Sequence, residues 1–229
     1  MGNIVDDIRA NEDTFADRPF NEVDSLALAQ LSYARMPVNV PRLDAEATDV
    51  DLAMVGVRDL LRAECYDDMF GKVWSPSMNV DLLRAMCESP RWRDLRVGGY
   101  VDEFDPETTK QFSACVFDVG DGSSYVAFRG TDSTIVGWKE DFAMAFRRPV
   151  AAQESAARYL ADIAGRRDGP LMVGGHSKGG NLAVYAAANA PAAVQERLIA
   201  VCCHDGPGFD ADFFDTPGLS LIHISEPTR

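Results

Sequence analysis

A serine hydroxyl becomes a useful nucleophile when its backbone holds it clear of the chain and a nearby base takes its proton. Gly175-His176-Ser177-Lys178-Gly179 has the G-x-S-x-G spacing that does the first of these. It lies within VGGHSKGGNLAVYAAAN, between an apolar run and an alanine-rich helical stretch. Such a short pattern gains weight from a strand before it and a helix after it. The turn needs little bulk at Gly175 and Gly179, because strand and helix pack closely around it, and Gly180 relieves the next contact. Ser177 is then expected in a strained backbone conformation with its hydroxyl exposed. The helix that starts there aims its first N–H groups at the same spot. An oxyanion forming beside Ser177 would find the Lys178 N–H as its natural donor. The competing reading is a glycine-rich helix start with Ser177 as N-cap. The flanking strand and helix favour the nucleophile. The Lys178 side chain, a cation in a helix's first turn, is either solvated or carboxylate-paired, or it contacts an anionic part of a substrate.

Acyl transfer also needs a second oxyanion donor, from a loop next to the nucleophile strand. VAFRGTDSTIVGWKEDF, residues 126–142, offers Thr131 after a sharp Arg129-Gly130-Thr131 turn, with a backbone N–H and a hydroxyl. Its plainer reading is a polar loop with a structural arginine. The base is harder to place. The chain has 3 histidines. His176 sits inside the elbow with its side chain projecting away. His204 ends an apolar run, followed by Asp205-Gly206-Pro207-Gly208-Phe209. His204 and Asp205 are both candidates to border the site, but neighbours on an extended segment point opposite ways and cannot both line up behind one serine. Asp205 reads first as a turn residue. His223 lies in the last residues.

The elements that would position these groups follow from periodicity. Residues 1–22 are polar and acidic, and read as a flexible segment. A helix is expected from about Ser25 to Arg35, capped by Asp24 or Ser25 and stopped by Pro37. Further helical segments run from about Leu52 to Arg62 and from Val80 to Cys87. From Leu95 the alternation changes to that of strands. Phe112–Val119 and Ser124–Phe128 flank a Gly-Asp-Gly-Ser turn and predict a β-hairpin. A helix over VAAQESAARYLADIAGRR, a strand at LMVGG, the helix after Ser177 and a strand at RLIAVCCH follow. Strand and helix in alternation predict an α/β fold, a parallel sheet covered by helices.

Composition narrows the partners. The net charge is −14, which argues against nucleic acid and against a polybasic route to anionic membranes. Hydrophobic residues make up 46%, enough to build a core from 229 residues. The 5 cysteines have no zinc spacing, and adjacent Cys202 and Cys203 read as small buried hydrophobes in a reducing compartment. The N-terminus has neither a secretory nor a myristoylation pattern, and no segment is apolar for long enough to span a bilayer. A cytoplasmic protein without metal or organic cofactor is the expectation.

FRGT with a following W..D, then GHSKGG, resembles the class 3 lipase branch of the α/β-hydrolases. NEVDSLALAQLSYARMP, VAFRGTDSTIVGWKEDF, GHSKGGNLAVYAAA and DGPGF, in that order, are similar to a bacterial family of lipase-like hydrolases, the Mbeg-like proteins. The resemblance runs from about Asn21 to Phe209. It implies an α/β-hydrolase domain over residues 23–217, helical to 94 and with its sheet core from 95. It further implies Ser177 as nucleophile, Thr131 and Lys178 at the oxyanion, and Asp141, paired with Trp138, steadying the oxyanion loop. The implied substrates are carboxylic esters of acyl or lipid type. In the family the acid and histidine follow the DGPGF turn. The tail LSLIHISEPTR does not continue the pattern and looks like translated sequencing-adapter sequence, so residues 218–229 are expected to be non-native and the domain incomplete at its C-terminus. The competing reading is a genuine short strand. On the first, His223 has no catalytic role, and this chain, lacking the downstream acid and base, is expected to turn over little ester. A non-catalytic binding or interaction module on the same fold is the alternative.

Overall fold

Helices come first along the chain. The computed structural model describes residues 2–44, 52–107, 110–131, 149–214 and 224–225. Its helices are α1 (Ile4–Ala10), α2 (Glu22–Leu31), α3 (Tyr66–Phe70), α4 (Pro76–Glu88), α5 (Ala151–Arg166), α6 (Lys178–Ala188), α7 (Ala192–Gln195) and α8 (Ala211–Phe214). Its strands are β1 (Met54–Gly56), β2 (Arg96–Asp105), β3 (Lys110–Asp118), β4 (Ser124–Phe128), β5 (Leu171–His176), β6 (Leu198–His204) and β7 (Ile224–Ser225). They form one sheet in the order β1-β2-β3-β4-β5-β6-β7. Pairing is antiparallel from β1 to β4 and parallel from β4 to β7. The mixed α/β class expected from the sequence is therefore present, with a hairpin grafted onto a parallel half. The β3–β4 hairpin turns through Gly120 and Gly122 at φ 89° and 90°, a region that glycine enters without a Cβ clash.

The sheet is covered on both faces, so β3, β4 and β5 are buried almost throughout. Alternate residues feed two cores. Phe112, Ala114, Val116, Val126 and Phe128 face α5 and α6. Cys115, Phe117, Tyr125 and Ala127 face the N-terminal helices, among them Leu28, Leu31, Leu83 and Met86. The two parallel crossovers, β4 to β5 through α5 and β5 to β6 through α6, advance the same way across the sheet. A shared hand then places both helices on one face. The other face is left for α2 and α4.

Several boundaries differ from the sequence expectation. Residues 1–22 are not a loose tail: Asn3 caps α1 through a capping box with Asp6, and Val5, Ile8 and Phe15 are buried. The cap of α2 is Asn21, neither Asp24 nor Ser25. Asp24 instead sits three residues on and closes the box by accepting from the Asn21 N–H at 2.9 Å. Helix α2 also stops at Leu31, before Arg35. The segment from about Leu52 to Arg62 is no α-helix. It gives β1 and a 3₁₀ turn over Val57–Leu60, because β1 must pair with β2 in the register Met54↔Gly98. Apart from these differences, Ile224 and Ser225, within the segment expected to be non-native, pair with Val201 and Cys202 as β7.

One buried ion pair ties the N-terminal layer down. The Arg91 guanidinium meets the Asp24 carboxylate, both side chains being almost wholly buried. It also donates to the carbonyls of Asp13, Thr14, Arg18 and Pro19, and stacks 4.0 Å over the Phe15 ring. Five acceptor groups from one stretch of chain thus converge on one cation. Arg91→Met would strand a buried carboxylate and is expected to cost roughly 3–5 kcal/mol. Urea unfolding of the two proteins measures that loss, and an unchanged midpoint would refute the anchoring role.

Candidate functional site

Strand β5 ends at His176 and α6 begins at Lys178, so Ser177 alone makes the turn. It does so at φ 55° and ψ −128°, a conformation that a residue with a Cβ enters only under strain. The close packing that forces this turn is carried by adjacent glycines on opposite faces. A Cβ at Gly174 would strike the Tyr125 hydroxyl and approach Ser25 Oγ on the α2 side. A Cβ at Gly175 would strike the backbone of Gly179 on the α6 side, and one at Gly179 would strike the Phe128 carbonyl. The Ser177 N–H is fixed by the His204 carbonyl at 2.8 Å, and its own carbonyl accepts from Gly180 at 2.9 Å.

Ser177 occupies the N-cap position, yet its side chain makes no capping hydrogen bond. The N-cap reading is thereby overturned. The half-buried hydroxyl stands at a helix N-terminus without a hydrogen bond among the described residues. Lys178 is not solvated, as one reading of it had it. Its side chain is 1% exposed, and Nζ donates to the Gln111 carbonyl at 2.8 Å and to Gln111 Oε1 at 3.2 Å. This tether to β3 fixes the backbone of the residue after Ser177.

Thr131 is buried, in the stretch that leaves β4. A Cβ on the preceding Gly130 would meet the Tyr33 hydroxyl and the His176 carbonyl, so this turn lies against the one that bears Ser177. Arg129, read as structural in the plainer alternative, is buried and paired with Asp102 at 2.6 Å. Asp141, Trp138 and His223 lie outside the described residues.

The remaining candidates separate. His176 Nδ1 shares a hydrogen bond with the Tyr33 hydroxyl at 2.9 Å, away from Ser177. His204 offers Ser177 its carbonyl, while its ring turns under α2, where Nε2 lies 2.8 Å from Ser25 Oγ. Ser25 Oγ is also 2.8 Å from the Tyr125 hydroxyl, which reaches the Ser25 carbonyl at 3.2 Å. With the proton on His204 Nε2, every donor of this chain is used: Nε2–H to Ser25, Ser25 to Tyr125, Tyr125 to the carbonyl. His204 Nδ1 has no partner among the described residues, so a second proton there would be a buried N–H without an acceptor among them. Burial accordingly pushes the imidazole down to about 4, and His176 adds to the push. Burial lowers His176 as well, opposed by the charge of Asp205. Asp205 itself is exposed, at φ 53°, as a turn residue bordering His176. Asn181 closes the outer side, donating to the Pro207 carbonyl at 2.9 Å and accepting from Gln153 at 2.8 Å. Among the described residues no group of three or more His, Cys, Asp or Glu side chains is placed to hold a metal ion.

Residues 86–225 match the family model described as Mbeg1-like, more than half of the chain, from the end of α4 through Ser177 to β7. The chain belongs to the Mbeg1-like family. No curated protein and no solved structure gives a significant match to it. Tyr33, Ser25 and Tyr125 are site-supporting residues of this Mbeg1-like chain that the motifs did not announce. Ser25 had one signal: it stands at helical spacing from Leu28 and Ala29, a polar residue on an otherwise apolar stripe, which implies a buried partner.

Two outcomes follow from this geometry. Replacing a true N-cap serine by alanine costs about 1 kcal/mol. Ser177→Ala is expected to cost less than about half of that, and Ser177→Gly to raise stability by roughly 0.5–2 kcal/mol as the positive-φ strain is released. Thermal or urea unfolding of both variants decides it. For His204, the folded state favours the neutral ring while the unfolded chain takes up a proton from its ordinary 6.5 downward. Stability should therefore be fully held above that value and lost as the pH falls toward about 4. His204→Gln should flatten that loss in urea midpoints measured across the window.

Proposed function

We propose that the chain forms the core of a serine hydrolase that cleaves carboxylic esters of acyl or lipid type, on a lipase-like α/β-hydrolase plan. One observation carries the reading: Ser177 is held at positive φ at the tip of a parallel strand, and its hydroxyl caps nothing. A scaffold gains nothing from such strain, whereas a nucleophile gains an exposed hydroxyl beside the N–H groups of a helix start. In this mechanism Ser177 Oγ bonds to the ester carbonyl carbon as its proton passes to a base. The carbonyl oxygen, now negative, is held by the N–H groups of Lys178 and Thr131, with Asp141 steadying the Thr131 loop. The C–O bond to the alcohol breaks, the alcohol leaves with the proton, and water cleaves the acyl-enzyme by the same route. Both described histidines are engaged elsewhere, His176 with Tyr33 and His204 with Ser25, so neither is assigned the role of base. A cytoplasmic setting fits five free cysteines. No helix among the described residues is long and apolar enough to cross a membrane.

A fluorophosphonate probe tests the reading on a family member whose DGPGF turn is followed by an acid and a histidine. Labelling should map by peptide mass to the serine that matches Ser177 and vanish when it is replaced by alanine, and ester hydrolysis should fall on the order of 10³-fold or more with it. A folded family member whose matching serine resists the probe would point to a binding module instead.

A further inference from the structure

We propose that the apolar cavity between α1, α2 and α4 is the seat of an unbranched aliphatic chain of medium length. The cavity has a volume of about 330 Å³, at the lower end of the range for small-molecule sites. Its walls are Ile4 and Val5 of α1, Leu26 of α2, and Met78 and Leu82 of α4. Two amides also line it, but they serve the protein. Gln30 Nε2 donates to Asn79 Oδ1 at 2.8 Å, and Asn79 Nδ2 donates to the carbonyls of Trp74 and Ser75 at 2.9 and 3.1 Å. The surface left for a ligand is mostly carbon, which fits a hydrocarbon and not a sugar or nucleotide.

The rim points to an occupant. Trp74 is 69% exposed and Met78 48% exposed, large apolar side chains standing in water at the cavity's edge. Ser75 between Trp74 and α4 adopts φ 53°, a left-handed conformation strained for a non-glycine residue, and so sets Trp74 at the rim. A chain threaded past these two residues would remove both from water. At the inner side the cavity is lined by His176, the residue immediately before Ser177. The seat thus reaches the residue that precedes Ser177. Apart from His176, every wall named lies before residue 86, outside the segment that matches the Mbeg1-like model. The cavity is a property of the N-terminal helices of this chain. That the occupant is the acyl part of an ester cut at Ser177 rests on the function proposed above; its occupancy does not.

The test uses the full chain carrying Ser177→Ala, titrated with methyl decanoate and followed by tryptophan emission. Saturable binding with a blue shift is expected, and Trp74→Phe should remove the shift. Methyl acetate should give none. Met78→Glu sits at an exposed position, so the fold should persist by circular dichroism, while affinity falls on the order of 10-fold as apolar contact is lost. Absence of saturable binding, or binding indifferent to both Trp74→Phe and Met78→Glu, overturns the proposal. Binding here, together with fluorophosphonate resistance of the matching serine in a family member that carries the downstream acid and histidine, would uphold the cavity and sink the hydrolase. Labelling without binding would do the reverse.

Discussion

The positive-φ turn at Ser177 is the constraint around which the parallel half of the molecule is organised. It exists because β5, β4 and α6 approach more closely than side chains allow. Gly175 and Gly179 abut each other and the Phe128 carbonyl, and Gly174 does the same for α2 on the other face. Strain of about 1–3 kcal/mol at one residue persists only where the surroundings over-determine it. Here they do: the His204 carbonyl holds the Ser177 N–H, the Gly180 N–H holds its carbonyl, and Lys178 is pinned to Gln111 beyond. Within that packing the Ser177 hydroxyl makes no capping hydrogen bond.

Beneath α2 lies a small polar system in an apolar layer. Ser25, Tyr125 and His204 are all buried and linked at 2.8 Å. In a low-dielectric setting such bonds are strong and an unmet group is costly. His204 Nδ1 has no partner among the described residues, and it tolerates that only as a bare acceptor on a neutral ring. The arrangement places α2 at a fixed height over the sheet, which in turn positions Tyr33 against His176 and against Gly130 of the neighbouring loop. An interaction remote from the serine hydroxyl thereby sets the two turns that flank it.

The N-terminal layer is held by the same economy of partners. Arg91 gathers Asp24 and four backbone carbonyls, and Asp24 also closes the α2 capping box. A long polar, acidic stretch is in this way bound to the end of α4 by one cation in a chain of net charge −14.

By itself the sequence determined the strand–turn–helix at Ser177, the β3–β4 hairpin and the α/β class. Each rests on local signals: glycines where backbones touch, alternation of period two, and turn residues between apolar runs. It also offered Thr131 in a loop expected next to the strand that leads to Ser177; the structure pairs Phe128 with Gly175 in parallel. It could not show that residues 1–22 pack, since their partner Arg91 is some 70 positions away in the chain, nor that Met54–Gly56 is a strand, since a three-residue edge exists only by pairing with β2. Tertiary structure alone decided that Lys178 turns inward, that Ser177 does not cap α6, and that His204 faces Ser25 and not the serine beside it. The reason is common to all three: a side chain's partner is set by which faces the sheet and helices present to one another, and one-dimensional spacing carries that information only within a turn or a strand.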